Sequence, residues 1–210
     1  MKKNKVTGIV LAGGFSSRFG SNKALVRIGS KKLIEHVLSR LEPLFDEIII
    51  VTNDPLDYVD LEKTIVTDII PHQGPLGGIY TGLFFSRHDY ALVMACDMPF
   101  VNQEFVNYLV EKASGYDVVV PCFEDKFEPL HAVYSKRCLN HMKRLLEQNK
   151  RQVVKIFKRV KTLKVGEDII RRFDPDMKCF FNINTITDWE KALEDYNLEK
   201  KNSEERPLHS

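Results

Sequence analysis

Val6-Thr7-Gly8-Ile9-Val10-Leu11-Ala12-Gly13-Gly14-Phe15-Ser16-Ser17-Arg18-Phe19-Gly20, followed closely by Lys23, opens the chain with an apolar run that gives way to a glycine-rich, basic loop. An apolar run without polar alternation is the pattern of a strand buried on both faces. It ends in a glycine pair, then a Ser-Ser-Arg segment, a third glycine and a lysine. Glycines let backbone N–H groups approach anionic oxygens without interference from a Cβ, and successive N–H groups form an anion-binding concavity. Arg18 and Lys23 then supply the charge that backbone dipoles offset only in part. The bland alternative is a tight strand-to-helix turn with both cations solvated. The spacing matches neither G-x-x-x-x-G-K-[ST] nor G-x-G-x-x-G, which disfavours a P-loop NTPase and a dinucleotide-binding oxidoreductase.

Working outward, apolar strands alternate with amphipathic helices. Expected strands lie at 9–11, 47–52, 64–67, 90–95, 117–121, 130–134, 161–165 and 180–183. Expected helices lie at 32–44, 74–86, 102–114 with Asn102 as N-cap, 135–148, 152–158 and 187–196. This alternation predicts a three-layer Rossmann-like α/β fold with a mostly parallel central sheet, covered on both faces. Residues 1–197 read as one domain. Residues 198–210 are charged, nearly devoid of apolar groups, and expected to be disordered.

The 210 residues include 43% hydrophobic and 29% charged side chains, with a net charge of +2. That balance argues against nucleic-acid partners and against a polybasic membrane anchor. No apolar run reaches the roughly 18 residues of a membrane span. The basic start Met1-Lys2-Lys3-Asn4-Lys5 precedes a segment too short for a signal peptide, so the expectation is a cytoplasmic protein. Cys96, Cys122, Cys138 and Cys179 are scattered without metal-ligand spacing and read as buried free thiols.

Ligands of open α/β sheets lie beyond the carboxyl ends of the strands, and there the polar residues collect. Leu11, Ala12, Gly13 and Gly14 end the first strand, Asn53 the second, and Asp68 follows the third. Cys96-Asp97-Met98-Pro99 closes the next. A carboxylate facing polyphosphate makes sense with a divalent cation between them, which points to Asp97 as a Mg²⁺ ligand. The alternative for Asp97 is a helix cap or turn. Asp68 is either a turn residue or an acceptor for a ribose or base donor. Gly74-Pro75-Leu76-Gly77-Gly78 suits a close backbone approach at a helix start, or simply a tight loop. His72 sits in a polar loop within reach of a substrate; His131 reads as a packed core residue. Asn182 and Asn184, two apart on an extended segment, share one side. They either bind a flat polar ligand or cap the last helix.

Taken in order, Leu11-Ala12-Gly13-Gly14-x-Ser16-x-Arg18-x-Gly20-x-x-Lys23, Gly74-Pro75-Leu76-x-Gly78, Cys96-Asp97-Met98-Pro99, Pro129-Leu130-x-Ala132-Val133-Tyr134 and Phe181-Asn182-Ile183-Asn184-Thr185 resemble the molybdenum cofactor guanylyltransferases over nearly the whole chain. The resemblance implies a nucleotidyltransferase fold and transfer of GMP from GTP to molybdenum-bearing molybdopterin, with pyrophosphate released. Leu11, Ala12, Gly13, Gly14, Lys23, Asn53, Asp68 and Asp97 then correspond to GTP-binding positions, and Asp97 to the Mg²⁺ ligand. Arg18, Lys23 and Asp97 carry the catalysis, and Asn182 and Asn184 contact the pterin side. Cofactor-delivery proteins or acceptor molybdoenzymes are the implied partners. Phe19 stands where such enzymes commonly carry Met, which keeps an apolar contact. Leu-Ala-Gly-Gly, in place of Leu-Ala-Ala-Gly, favours guanylyl over cytidylyl transfer. The rival readings are a related nucleotidyltransferase using CTP or a sugar phosphate, and a nucleotide-binding module without turnover.

Overall fold

A computed structural model describes residues 5–13, 15–16 and 21–204. Gly14 and Arg18, both assigned to the phosphate loop, lie outside the described residues.

The central sheet contains β1 (Thr7–Leu11), β2 (Ile48–Val51), β3 (Thr64–Val66), β4 (Tyr90–Ala95), β5 (Val118–Phe123), β6 (Lys126–Phe127), β7 (His131–Ser135) and β8 (Thr162–Gly166). Its strands run in the order β5-β7-β4-β1-β2-β3, with β8 parallel to β5 and the short β6 antiparallel to the end of β5. β1 pairs parallel with β2 and β4, and β2 pairs parallel with β3. β7 is inserted antiparallel between β4 and β5. The parallel core matches the expectation, and the reversed β7 is the departure from it. The chain reverses in the two-residue turn Glu124–Asp125 after β5, so that β6 and then β7 run antiparallel to β5 on its two sides.

Six helices accompany the sheet: α1 (Leu33–Leu41), α2 (Gly74–Phe85), α3 (Gln103–Glu111), α4 (Leu139–Glu147), α5 (Glu167–Phe173) and α6 (Ile186–Glu204). Successive strand residues face opposite sides, and the two halves of the core divide on that rule. Ile9, Ile49 and Val93 pack against Leu76, Ile79 and Leu83 of α2 and Met142 and Leu145 of α4. Val10, Ile50 and Met94 pack against Ile34, Val37 and Leu41 of α1, Phe105 and Leu109 of α3, and Ile170 of α5. The result is the expected three-layer arrangement. A smaller cluster joins Ile28 and Leu33 to Ile183 and Ala192 of α6.

Asn102 caps α3 as expected, its Oδ1 accepting from the Phe105 N–H at 2.9 Å. Four local expectations are corrected. The helix expected at 152–158 is only the 3₁₀ turn Val153–Lys155. The strand expected at 180–183 is a 3₁₀ turn, Lys178–Phe180, followed by unpaired backbone. Its one tie to the sheet end is the Ile183 N–H donating to the Asp97 carbonyl at 3.1 Å. Helix α5 was not foreseen, because its seven residues are too few to display a clear period. Helix α6 continues to Glu204, into the tail expected to be disordered. Leu198, Glu199, Lys200 and Lys201 are good helix formers, so a helix already anchored at Ala192 propagates through them at little cost. All four cysteines are free; Cys96, Cys138 and Cys179 are buried as expected, whereas Cys122 is half-exposed.

Candidate active site

The parallel pairing of β3, β2, β1 and β4 aligns their carboxyl ends, with Leu11 opposite both Val51 and Ala95, and Val51 opposite Val66. The residues after each strand therefore meet at one edge. Two backbone bonds extend that alignment: Ala12 N–H to the Val51 carbonyl (2.8 Å) and Cys96 N–H to the Leu11 carbonyl (3.1 Å). Beyond this edge opens a cleft of about 780 Å³ whose walls include Leu11, Ala12, Gly13, Lys23, Asn53, Asp68, Asp97, Asn182 and Asn184. Every described residue assigned to the site from sequence thus lines one cavity.

At its centre Lys23 Nζ donates to Asp97 Oδ2 and to Asn184 Oδ1, each at 2.7 Å. The second oxygen, Asp97 Oδ1, is buried and has no hydrogen-bond partner. A buried, unsatisfied carboxylate oxygen is costly unless a ligand completes it. Among the described residues no group of three or more His, Cys, Asp or Glu side chains is placed to hold a metal ion. Asp97 Oδ1 is therefore open to a divalent cation whose remaining ligands come from phosphate and water.

Toward β3, Asp68 Oδ2 accepts from Asn53 Nδ2 at 3.3 Å, and Asp68 Oδ1 is buried without a partner. Burial raises the Asp68 carboxyl above the usual carboxylate range, partly offset by Asn53 and by His72. The Gly78 position explains its residue type: a Cβ there would lie 3.2 Å from Leu11 Cδ2 and 3.8 Å from Asp68 Oδ1. Gly13 differs, since a Cβ there would meet no protein atom within 4 Å. Packing among the described residues does not demand a glycine at that point, and the space beside it opens to the cleft. His72 lines the cleft with a left-handed backbone (φ 61°), next but one before Gly74 (φ 62°), which opens α2.

The side chains of Asn182 and Asn184 do not cap the last helix. Helix α6 is capped by other residues: Asp188 Oδ2 accepts from the N–H groups of Asn184 (2.9 Å) and Thr185 (2.8 Å), and Thr185 Oγ1 accepts from the Asp188 N–H (3.1 Å). The Asn184 side chain is left to Lys23, and the Asn182 amide donates to the Phe180 carbonyl at 3.3 Å.

Sequence reasoning missed several supports. Tyr58 is fully buried, donates its hydroxyl to the Ala12 carbonyl (3.2 Å) and accepts from Asn22 Nδ2 (2.9 Å). That bond fixes the backbone beside Gly13, and burial pushes the phenol up to about 12. Arg151 and Leu130 also line the cleft. Arg151 sits in a run of basic residues where no spacing singles it out. His131 is fully buried between Phe105 and Phe180, as expected of a core residue, and does not reach the cleft.

Comparison with known proteins decides the lineage, since residues 8–163 match the family described as the MobA-like NTP transferase domain. The chain belongs to the MobA-like NTP transferases. It is accordingly a nucleotidyltransferase. The molybdenum cofactor guanylyltransferase of Desulfosudis oleivorans is 39% identical over 189 residues, covering 89% of this chain and 94% of the relative. The probable molybdenum cofactor guanylyltransferase of Methanosarcina mazei is 40% identical over 205 residues, covering 91% and 92%. Among solved structures, molybdopterin-guanine dinucleotide biosynthesis protein A of Archaeoglobus fulgidus superposes with a TM-score of 0.80 at 30% identity, covering 91% of this chain and 99% of that one. The MobA-like chain therefore shares the fold of that structure and spans more than nine-tenths of each of these relatives. No helix among its described residues is long and apolar enough to cross a membrane.

Proposed function

We propose that this MobA-like enzyme transfers GMP from GTP to molybdopterin carrying molybdenum, yielding a molybdopterin guanine dinucleotide and pyrophosphate. The observation that carries the reading is Lys23, held between Asp97 and Asn184 in a cleft that also gathers Gly13, Asn53, Asp68 and Asn182. The names of the relatives supply the nucleotide and acceptor.

The reaction is an in-line displacement. A terminal phosphate oxygen of the pterin forms the new bond to the α-phosphorus of GTP, while the bond from that phosphorus to the bridging oxygen breaks. Pyrophosphate leaves with the electron pair. A phosphate monoester has its second pKa near 6, so the attacking oxygen needs no general base at neutral pH. Cys96 lines the cleft, but burial pushes its thiol up to about 12, which keeps it from acting as a thiolate nucleophile. Catalysis rests on positioning and on charge placed where it develops. Backbone N–H groups at Gly13 and Gly14 cradle the phosphates, and Lys23 and Arg18 take the leaving pyrophosphate. Asn53 and Asp68 hold the nucleoside, and Asn182 and Asn184 orient the pterin. Asp97 would hold Mg²⁺, which would neutralise phosphate charge.

One domain over residues 1–197 suffices for this work, and the free thiols suit the cytoplasm. Cofactor-delivery proteins or acceptor molybdoenzymes take the product onward. The test is pyrophosphate release from GTP, CTP and ATP in the presence of molybdenum-molybdopterin. Release that depends on both GTP and acceptor is expected. Preference for CTP would assign the chain to cytidylyl transfer, and no release with any triphosphate would make it a binding module.

A further inference from the structure

The segment Asn149–Val165 contains seven cations and no carboxylate, although the whole chain carries a net charge of only +2. The remainder of the chain is therefore net negative, and the positive charge is local. Lys150, Lys155, Lys158 and Arg159 are exposed and line a groove of about 510 Å³ with Gln152 and Val154. None of these cations belongs to an ion pair among the described residues. The Lys150 ammonium donates only to Gln148 Oε1, at 2.8 Å. On the adjoining strand β8 and its approach, Lys161 and Lys164 lie over the rings of Tyr116 and Phe127, 4.9 and 5.1 Å from their centroids. Those contacts leave their charge uncancelled.

The groove adjoins the cleft. Arg151, between Lys150 and Gln152 of the groove, lines the cleft itself. Strand order fixes which end of the cleft this is. Asn53 and Asp68 follow β2 and β3 at one side, Asp97 follows β4 in the middle, and Leu130 leads into β7 at the other. Leu130 thus marks the end away from the nucleoside residues, and the segment of Arg151 lies on that side, where Phe157 packs on Phe127 of β6 and Tyr134 of β7.

We propose that this basic surface captures the anionic acceptor and guides it into the cleft past Arg151, while the triphosphate enters from the Asn53–Asp68 end. The inference rests on the functional reading above, in which the acceptor is a phosphate-bearing pterin. Exposed cations contribute little to equilibrium affinity, because water and salt screen them. A one-signed surface beside a cleft does raise the encounter rate of an opposite charge, by roughly 10- to 1,000-fold. The groove suits a small anion better than a nucleic-acid strand, since its one aromatic neighbour in the segment, Phe157, is buried and no ring is offered for base stacking.

The test compares the unmodified protein with the combined variant Lys155→Gln, Lys158→Gln, Arg159→Gln. Stopped-flow association of molybdopterin is followed at ionic strengths of about 0.01 M and about 1 M, where screening lengths are roughly 30 and 3 Å. The association rate at low salt should fall about tenfold, with the dissociation rate and kcat unchanged, and the difference should vanish at high salt. A control removing equal charge away from the cleft, Lys31→Gln, Arg40→Gln, Lys191→Gln, should leave association nearly as it was. An unchanged rate in the groove variant, or an equal loss in the control, would overturn the role of this surface while GMP transfer stands. If the unmodified chain binds molybdopterin but transfers no GMP, the functional reading falls and the acceptor assignment with it.

Discussion

Lys23 Nζ lies 2.7 Å from Asp97 Oδ2, with the two side chains 11% and 21% exposed. One ammonium thereby joins the loop after β1 to the end of β4, and through Asn184 to the segment before α6. The partners come from the triphosphate, metal and acceptor sides of the proposed reaction. These bonds hold three groups from distant parts of the chain in one fixed arrangement.

Removing either member should separate catalysis from folding. Lys23→Ala and Asp97→Ala are each expected to slow pyrophosphate release by about 100- to 1,000-fold, the usual cost of losing a group aimed at developing charge. The pair is only partly buried, so its loss should cost about 1 kcal/mol of stability, or roughly 2–4 °C in Tm. Kinetics and thermal melts on the same preparations check this. Near-normal transfer by Asp97→Ala would remove Asp97 from the mechanism.

The unpartnered Asp97 Oδ1 makes a second expectation. Chelation with EDTA should abolish GMP transfer without unfolding the protein, and excess Mg²⁺ should restore it. Asp97→Asn should need more Mg²⁺ for half-maximal activity, since the amide is neutral. An enzyme indifferent to chelator would leave that oxygen without a cation.

Gly13→Ala isolates the demands of the ligand from those of the fold. A Cβ at that position meets no protein atom within 4 Å, so stability should change by no more than about 0.5 kcal/mol. GTP turnover should fall relative to CTP turnover, because the added methyl narrows the space beside the nucleotide. Parallel assays with both triphosphates measure the ratio; an unchanged ratio would disconnect Gly13 from base choice.

These residues were legible in sequence because parallel strands impose a rule. Leu11, Asn53, Asp68 and Asp97 each follow an apolar run, and parallel pairing brings the ends of such runs to one edge whatever lies between them. Asn182 and Asn184 were legible as a pair of ligands, but the strand expected beneath them is absent; one bond from Ile183 to Asp97 stands in its place. Tyr58 and Arg151 were not legible. Tyr58 reaches Ala12 across 46 residues, and Arg151 looks like any other member of its basic run. Side-chain reach and the direction of a loop carry no periodic signal.

His131 gives the stability a pH dependence of definite sign. The ring is fully buried, neither nitrogen has a hydrogen-bond partner, and burial pushes its pKa down to about 4. The nearby Cys179 backbone and Asp174 carboxylate offset only part of that penalty. The folded state therefore keeps the neutral imidazole, while the unfolded chain gains a proton below about pH 6.5. Stability from this residue is complete above that pH and is lost as pH falls toward 4, by about 2 kcal/mol at pH 5. Urea unfolding at pH 7 and pH 5 measures the loss. His131→Phe should flatten it, and an equally steep decline in that variant would place the titration elsewhere.

Gly82 ties the packing of the core to the shape of the cleft. A Cβ there would lie 2.6 Å from Ile9 Cγ2 and 2.8 Å from Ile9 Cδ1, and Ile9 is fully buried on β1 between β2 and β4. Neither side can yield freely, so Gly82→Ala should cost about 1–3 kcal/mol through overpacking. Ile9→Ala alone should cost about 2–5 kcal/mol through the cavity it leaves. The double variant should be more stable than the sum, because the new methyl enters the vacated space, with a coupling of about 0.5–3 kcal/mol. Strict additivity in a urea double-mutant cycle would contradict the contact. Gly82→Ala should also raise the KM for GTP, since displacing α2 moves Gly74 and Gly78, which form the wall of the cleft nearest Asp68.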